Sequence, residues 1–429
     1  MLKTSKIILL IFVLLLPEYF IFESPYRLTY VAMSFLLLVY VIDKFVILGE
    51  DLNISRDTRV ILFYAFSLLL YVFISDVIKN DPAEGARMLL PNLLIPLMLP
   101  IFEYKKSSVN LYKAFFAIFS ISVAFAVVQA VGFKWNLPIL FPGFGFLKSD
   151  RFLDPMMHLH WRVSGATFSV IGFALYLGIA IIILYYLMIE KKNKFLIIPL
   201  FILVIVLFFT QSRSTLYGIV PTLALTNLIC TKNSIKSLIN TTLTTILIII
   251  AIYSFSEIIK ASTPRVTNPF DASVIERLQT NYYATLGTWE TAPIFGVPRD
   301  KIWDVIQTTA TRKGIVVGDK WRITTTHHNQ LLYYFRYYGL IGLGLLVLLY
   351  YKIFVEIFKT SDKTNRMILL AIFIFDFQYS MMHNNKLINS ILLWVLLSLA
   401  SNRYPQEDKI NKPVPVPDSR EYSHTFRNG

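Results

Sequence analysis

The chain has 429 residues, of which 55% are hydrophobic and only 16% are charged, whereas soluble domains carry about 25% charged residues. Its mean hydropathy is +0.58 and its formal net charge is +14. This much apolar surface cannot be buried in one core, so the composition excludes an ordinary soluble protein and predicts that lipid solvates most of the chain.

The first segment resembles a signal peptide, because Lys3 and Lys6 precede an apolar run. No small-residue cleavage site follows, since Pro17, Glu18 and Tyr19 come next. We therefore expect an uncleaved first membrane helix. The single cysteine, Cys230, excludes an intrachain disulfide.

Apolar runs of ~17–25 residues, the length that crosses a bilayer, recur along the chain. They predict an all-α, polytopic membrane protein with about 12 transmembrane helices in one domain, 1–402. This domain includes two longer polar segments, 132–164 and 258–330, and we expect the second to be partly helical. The polar, proline-containing tail at 403–429 is expected to be disordered. The predicted spans are 7–22, 28–48, 60–78, 88–102, 111–131, 165–189, 195–211, 214–230, 239–257, 331–351, 367–383 and 386–400.

The positive charges follow the distribution that marks cytoplasmic loops. When the N-terminus is placed in the cytoplasm, every short loop that alternation assigns to the same side is basic. The pattern predicts that both termini are cytoplasmic and that both long polar segments lie outside. It also accounts for the net charge without nucleic acid, so we expect no nucleic-acid partner.

Three arginines lie on the predicted outer side. Arg213 stands where two membrane helices meet, and a guanidinium there is expensive unless it has a partner. A lipid-linked phosphate would serve, because arginine binds phosphate oxygens in a bidentate way. Arg162 leads into the sixth span and Arg277 lies in the second polar segment. The alternative is that these side chains reach to lipid headgroups or are solvated.

Two histidines, His327 and His328, directly precede a predicted membrane helix, with Thr324, Thr325 and Thr326 as candidate N-caps. Histidine is suited to proton transfer near neutral pH. The alternative is an interfacial histidine that bonds a backbone carbonyl.

A metal site is a further alternative for the histidines. His158 and His160 could join His327 and His328 as nitrogen ligands, but the sequence offers no cysteine partner and no clustered carboxylates. We therefore expect no metal. The His383–Asn385 run at the outer end of the eleventh span could line the same cavity, although capping of the turn is favoured.

Four sequence segments together resemble the O-antigen ligases and the related O-antigen and capsule polymerases. One is His328-Asn329 followed, after nine residues, by Gly339-x-x-Gly342. The other three, in the order that this superfamily uses, are Arg162–Phe168, Thr210–Arg213 and Trp289–Gly296. The resemblance covers about 160–345.

The resemblance implies a metal-independent glycosyltransferase without a cofactor, in the bacterial inner membrane with its active site on the periplasmic side. The implied donor is a glycan on undecaprenyl diphosphate, and the acceptor is lipid A–core or another lipid-linked glycan. By position, Arg213 and Arg277 match the arginines that hold the diphosphate, with Arg162 as a weaker candidate. His328 matches the histidine that activates the acceptor hydroxyl, and His327 is the alternative base.

The sequence leaves three other functions open. A repeat-unit polymerase would use the same donor, base and arginines as a ligase, and the motif segments favour the ligase only slightly. A polysaccharide transporter or flippase is more distant, because the polar features gather on one predicted membrane face rather than at mid-depth. A purely structural membrane component would leave the histidines and arginines unexplained.

Overall fold

The computed structural model describes eleven stretches of the chain, and every statement below concerns these residues. They are helical and contain no β-strand, so the predicted all-α class is confirmed. The described stretches are 1–17, 27–48, 54–80, 82–104, 110–135, 163–167, 169–210, 212–230, 272–314, 329–382 and 390–401.

Thirteen α-helices account for most of these stretches. A π-helical turn at Ile42–Ile47 extends the second helix, and a 3-10 turn occupies Gly165–Thr167. The helices are α1 Leu2–Leu15, α2 Leu28–Val41, α3 Arg56–Lys79, α4 Pro82–Glu103, α5 Leu111–Trp135, α6 Val170–Lys191, α7 Ile197–Thr210, α8 Arg213–Cys230, α9 Ala272–Thr291, α10 Ile302–Arg312, α11 Gln330–Phe358, α12 Lys363–Met382 and α13 Ile391–Leu397.

Five helical segments are long and apolar enough to cross a membrane, and four further apolar helices are shorter. Eleven of the predicted spans overlap a helix, whereas the span predicted at 239–257 lies outside the described residues. The number of twelve spans therefore stays a prediction. The five candidate spans are Leu28–Ile47, Arg56–Lys79, Leu111–Ala130, Val170–Lys191 and Gln330–Phe358.

The first helix occupies Leu2–Leu15 rather than 7–22. The reason is Pro17, which lacks an N–H donor and disfavours helical backbone in the residue before it. Polar side chains cap the starts of several other helices. Ser55 accepts a hydrogen bond from the N–H of Thr58 at the start of α3.

Helix α6 lies at the centre of the bundle and is the most enclosed of the five candidate spans. Helix α12 packs against α6, α8 and α11, while α3 packs against α4 and α11. Gly178 of α6 permits the close approach of α12, because a Cβ there would lie 2.3 Å from Cζ of Phe375. Helices α6, α8 and α11, which carry or directly follow three of the sequence motifs, all pack against α12.

The span predicted at 331–351 is not one straight helix, because α11 is interrupted at Gly339, whose φ of 65° and ψ of −162° are non-helical. The Tyr350 hydroxyl donates to Oε1 of Gln330 at 2.5 Å. Twenty residues of straight helix would separate their Cα atoms by ~30 Å. The segment Gln330–Tyr338 therefore folds back along the segment that begins at Leu340.

Candidate functional site

The structure describes part of the predicted site. Arg277 lies on α9 and is half-buried, and Arg213 is the first residue of α8. The other predicted site residues lie outside the described residues, and their roles stay predictions. They are Arg162, His327 and His328, together with the alternative candidates His158, His160 and His383.

The segment that follows Arg162 packs beside the segment that precedes Arg213. The N–H of Val163 donates to the carbonyl of Phe209 at 3.1 Å, and Phe209 lies four residues before Arg213. Two of the motifs singled out in the sequence are thus neighbours in space, although 47 residues separate Val163 from Thr210 along the chain.

Gln129 of α5 fixes the backbone of this first motif. Its Oε1 accepts hydrogen bonds from the N–H groups of Ser164 and Gly165 at 3.0 Å each, and its Nε2 donates to the Gly165 carbonyl at 3.3 Å. Gly165 has a φ of +58°, and a Cβ there would lie 2.5 Å from Oγ of Ser122. Only glycine fits this position, so the Ser-Gly pair of the motif serves backbone docking.

Asn281, one turn after Arg277 on α9, contacts the folded-back segment of α11. The Arg336 guanidinium donates to the Asn281 carbonyl at 3.1 Å and to its Oδ1 at 2.7 Å. Arg336 itself is fully buried. Residues four apart on a helix share a face, so this contact brings the face that carries Arg277 to the helix that begins just after His328 and Asn329.

The Pro293–Gly296 motif docks on the break in α11. The N–H of Leu340 donates to the Pro293 carbonyl at 2.9 Å. A Cβ at Gly339 would lie 2.0 Å from the carbonyl oxygen of Ile294. The two motifs that the sequence singled out separately therefore form one backbone contact, which requires glycine at position 339.

A partly buried ion pair at the end of α3 supports the same region, and the sequence analysis missed it. Arg299 contacts Asp76 at 3.0 Å, and the Tyr338 hydroxyl bonds both Asp76, at 3.2 Å, and Arg299, at 3.1 Å. Burial by itself would lower the pKa of the Arg299 guanidinium. Electrostatic interactions with Tyr333, Tyr338 and Asp76 outweigh this effect, so the pKa is raised. The sole sequence signal was a carboxylate within an apolar run.

The start of α11 is capped by Asn329, whose Oδ1 accepts a hydrogen bond from the N–H of Leu332 at 3.0 Å. The expectation that Thr324, Thr325 or Thr326 is the cap was therefore wrong. The cap lies three to five residues later, because an asparagine directly before the helix can reach the orphan N–H groups of its first turn.

A second residue that the sequence analysis missed is Asp376 of α12, which is fully buried. Among the described residues, the Ser390 side chain interacts with its carboxylate. The Tyr350 ring packs on the same part of α12, with ring centroids 6.1 Å from Phe373 and 5.5 Å from Phe377. Asp376 thus lies close to the Tyr350–Gln330 hydrogen bond at the start of α11.

Helix α12 connects the two groups of motifs. Near its C-terminal end the Tyr379 hydroxyl donates to the Ile171 carbonyl at 2.6 Å, and Ile171 follows the motif fixed by Gln129. On another side, α12 packs against α11. Within the described stretches, no group of three or more His, Cys, Asp or Glu side chains could hold a metal ion. The four candidate metal-binding histidines lie outside them.

Residues 198–347 match the family model described as O-antigen ligase. The matched region runs from α7 into the second part of α11 and includes positions 213, 277, 328 and 339. No curated protein matches the chain.

Proposed function

We propose that this chain, a member of the O-antigen ligase and polymerase superfamily through residues 198–347, is a membrane glycosyltransferase of surface-polysaccharide biosynthesis. It transfers a glycan from undecaprenyl diphosphate to a sugar hydroxyl at the periplasmic face of the bacterial inner membrane. The family supports an O-antigen ligase-like function, and we favour transfer onto lipid A–core.

The observation that carries this proposal is the contact between Arg336 and Asn281. It joins the helix that bears Arg277, the proposed diphosphate-binding residue, to the helix that begins after His328, the proposed base. The proposed reaction has an anionic leaving group, so it needs a cation close to the base, and this contact between the two helices supports that arrangement.

In the proposed reaction the acceptor hydroxyl oxygen attacks the anomeric carbon of the donor glycan. The bond between that carbon and the phosphate oxygen breaks, and undecaprenyl diphosphate leaves with the electron pair. His328 accepts the hydroxyl proton, with His327 as the alternative base. Arg213 and Arg277, with Arg162 as a weaker candidate, face the charge that grows on the diphosphate.

The arginines take the place that a divalent metal holds in many glycosyl-diphosphate reactions. Guanidinium groups are permanently charged and bind phosphate oxygens in a bidentate way. We therefore propose a metal-independent reaction that needs no cofactor. The polyprenyl tail stays among the membrane helices while the glycan projects into the periplasm.

A repeat-unit polymerase is the principal alternative, because a polymerase of the same superfamily would use the same donor and the same charged residues. A transporter is the distant alternative, and one observation favours it. The broken helix at Gly339 is a feature that transporters use at their substrate sites. The arginines on the predicted outer side of the membrane favour a transferase over both a transporter and a structural component.

Purified protein in proteoliposomes, supplied with a glycan on undecaprenyl diphosphate, separates these functions. A ligase forms a product on added lipid A–core, whereas a polymerase forms a longer chain on a second lipid-linked repeat. Movement of the donor across the bilayer without any new glycosidic bond would contradict the transferase and support a transporter.

A further inference from the structure

The exposed face of α9 is apolar. Leu278, Tyr282 and Trp289 are 60%, 59% and 58% exposed, and at ~100° per residue they lie within about 40° of one another around the helix. The opposite, buried face carries mostly small or polar residues: Thr280, Tyr283, Ala284, Gly287 and Thr288. A helix on the surface of a water-soluble protein instead buries its apolar face and exposes its polar face.

The neighbouring helix α10 provides the contrast. It packs against α9, but its exposed residues are polar: Asp304, Gln307, Thr308, Thr311 and Arg312. Its buried face carries Ile302 and Ile306. The two helices of one segment therefore face different solvents, water for α10 and an apolar phase for α9.

The loop that follows α9 fixes the depth of that helix in the membrane. The part of α11 after the break, Leu340–Phe358, has 19 residues, and ~28 Å of helix matches the ~30 Å hydrocarbon core. Gly339 thus marks one boundary of that core. The Ile294 backbone reaches this boundary through its carbonyl, which accepts from the N–H of Ile341 at 3.4 Å.

The last residue of α3, Lys79, lies at the same boundary. Its Nζ donates to the Tyr337 carbonyl at 2.8 Å and also to the Phe295 carbonyl. Ile294 and Phe295 are 52% and 59% exposed. The exposed apolar side chains of Ile294 and Phe295 extend the apolar surface that Leu340 and Ile78 form on two candidate membrane spans.

Helix α9 runs along this boundary instead of standing upright on it. Ten residues separate Asn281 from Thr291, the end of α9, so an upright helix would lift Asn281 ~15 Å above the boundary. Asn281, however, is within 2.7 Å of the Arg336 guanidinium. Arg336 lies in the segment that folds back from Gly339 toward Tyr350 and is therefore no higher than the boundary itself.

We propose that α9 is an interfacial helix, with its Leu278–Tyr282–Trp289 face seated among the headgroups and upper acyl chains of the phospholipid leaflet at the Lys79 end of α3. Tyrosine and tryptophan suit this zone, because each has an apolar ring and a polar edge.

The position of α9 sets the depth of Arg277, a consequence that rests on the proposed function. Arg277 precedes Leu278 and points ~100° away from it around the helix, so it lies at the flank of the lipid-facing side. A cation there sits at the level of lipid phosphates, where the diphosphate of a membrane-anchored donor is found.

Site-directed fluorescence tests the proposal. In a Cys230→Ser background, which removes the single cysteine, Tyr282→Cys and Gln307→Cys are each labelled with the environment-sensitive fluorophore NBD. The full chain is reconstituted in vesicles of phosphatidylethanolamine and phosphatidylglycerol that contain nitroxide-labelled phospholipid. Position 282 should show blue-shifted emission and lose most of its fluorescence to the nitroxide, whereas position 307 on α10 should show neither effect.

Trp289→Cys provides a second probe of the same face if Tyr282→Cys does not fold. Water-like, unquenched emission at both positions would overturn the proposal. Blue-shifted emission without lipid quenching would also overturn it, since it would mean that protein covers the face. The vesicles contain no glycan donor, so the result is independent of whether the chain transfers glycans.

Discussion

At the scale of single residues, the arginines of the site region differ in what surrounds them. Arg336 is fully buried and bonds Asn281, so its charge serves to join two helices. Arg277 is half-buried on the adjacent turn and keeps part of its surface accessible. A partly exposed guanidinium can contact a ligand and a fully buried one cannot, so we propose Arg277 rather than Arg336 for the diphosphate contact.

Loss of the proposed diphosphate contacts should stop transfer without preventing membrane insertion. We expect Arg277→Ala and Arg213→Ala to reduce transfer by at least the ~10²–10³-fold typical of removing one donor to a developing charge. Arg213→Lys should also be poor, because an ammonium cannot form the bidentate contact. Transfer from lipid-linked glycan in vitro measures the effect.

The matched control is Arg312→Ala on α10, where the arginine is exposed and paired with Glu290. This variant should transfer glycan at nearly the wild-type rate. Full activity in Arg277→Ala or in Arg213→Ala would mean that the corresponding arginine does not hold the diphosphate.

The proposed base makes a separate prediction. A positioned general base contributes about 10²–10⁴-fold, so His328→Ala should lose most transfer, and His327→Ala should be milder. The wild-type rate should fall as the pH drops below the usual histidine pKa of ~6.5, because imidazolium cannot accept a proton. Single-variant rates, measured with and without EDTA, test this.

Two results would change the assignment. If His327→Ala is inactive while His328→Ala is active, the base is His327 and not His328. Inhibition of the wild type by EDTA, with recovery on addition of zinc or magnesium, would contradict the metal-independent reaction and return the histidines at 158, 160, 327 and 328 to consideration as ligands.

At the scale of secondary-structure elements, the break in α11 organises the region. Val297 N–H donates to the Arg336 carbonyl at 2.6 Å, and Tyr71 donates to the Tyr338 carbonyl at 3.0 Å. Carbonyls freed by the break are thus satisfied by a loop and by α3, as backbone groups within a membrane protein must be. A continuous helix would need none of these partners.

Glycine substitutions in α11 test the break. Gly339→Ala should destabilise the fold by more than the ~1–3 kcal/mol of a strained backbone conformation, because φ is +65° and the added Cβ would overlap the Ile294 carbonyl oxygen. Gly344→Ala is the control in the same helix, where no atom lies within 4 Å of the added Cβ. Thermal unfolding in detergent should show a large loss for the first variant and little change for the second, and equal stabilities would contradict the break.

At the scale of the whole molecule, the basic loops and the segment that carries α9 and α10 are predicted to lie on opposite sides of the membrane. Labelling with a membrane-impermeant maleimide tests this in the Cys230→Ser background. Lys313→Cys, exposed after α10, should react in cells whose outer membrane alone is permeable. Lys191→Cys, exposed at the end of α6, should react only after the inner membrane is breached. The reverse pattern would refute the predicted orientation.

The sequence by itself determined the properties that depend on local composition. Apolar runs of spanning length predicted the all-α class and the places of eleven helices, and the ordered motifs indicated the family whose model matches residues 198–347, because both signals are periodic or contiguous along the chain. The exact residues at which helices end were predicted less accurately. Pro17 ends the first helix early, and Asn329 caps α11 in place of the threonines, since a cap depends on which side chain reaches the first turn.

Only the tertiary structure decided how the motifs meet. In the sequence, Gly339 is simply one glycine within an apolar span. The helix break at this residue depends on its close contact with Ile294, which is 45 residues away along the chain. The partners of Asp76 and Arg336 likewise come from distant segments. Contacts between side chains and backbone groups far apart in sequence leave no periodic signal, so the folding-back of α11 and its contact with α9 could be read from the structure alone.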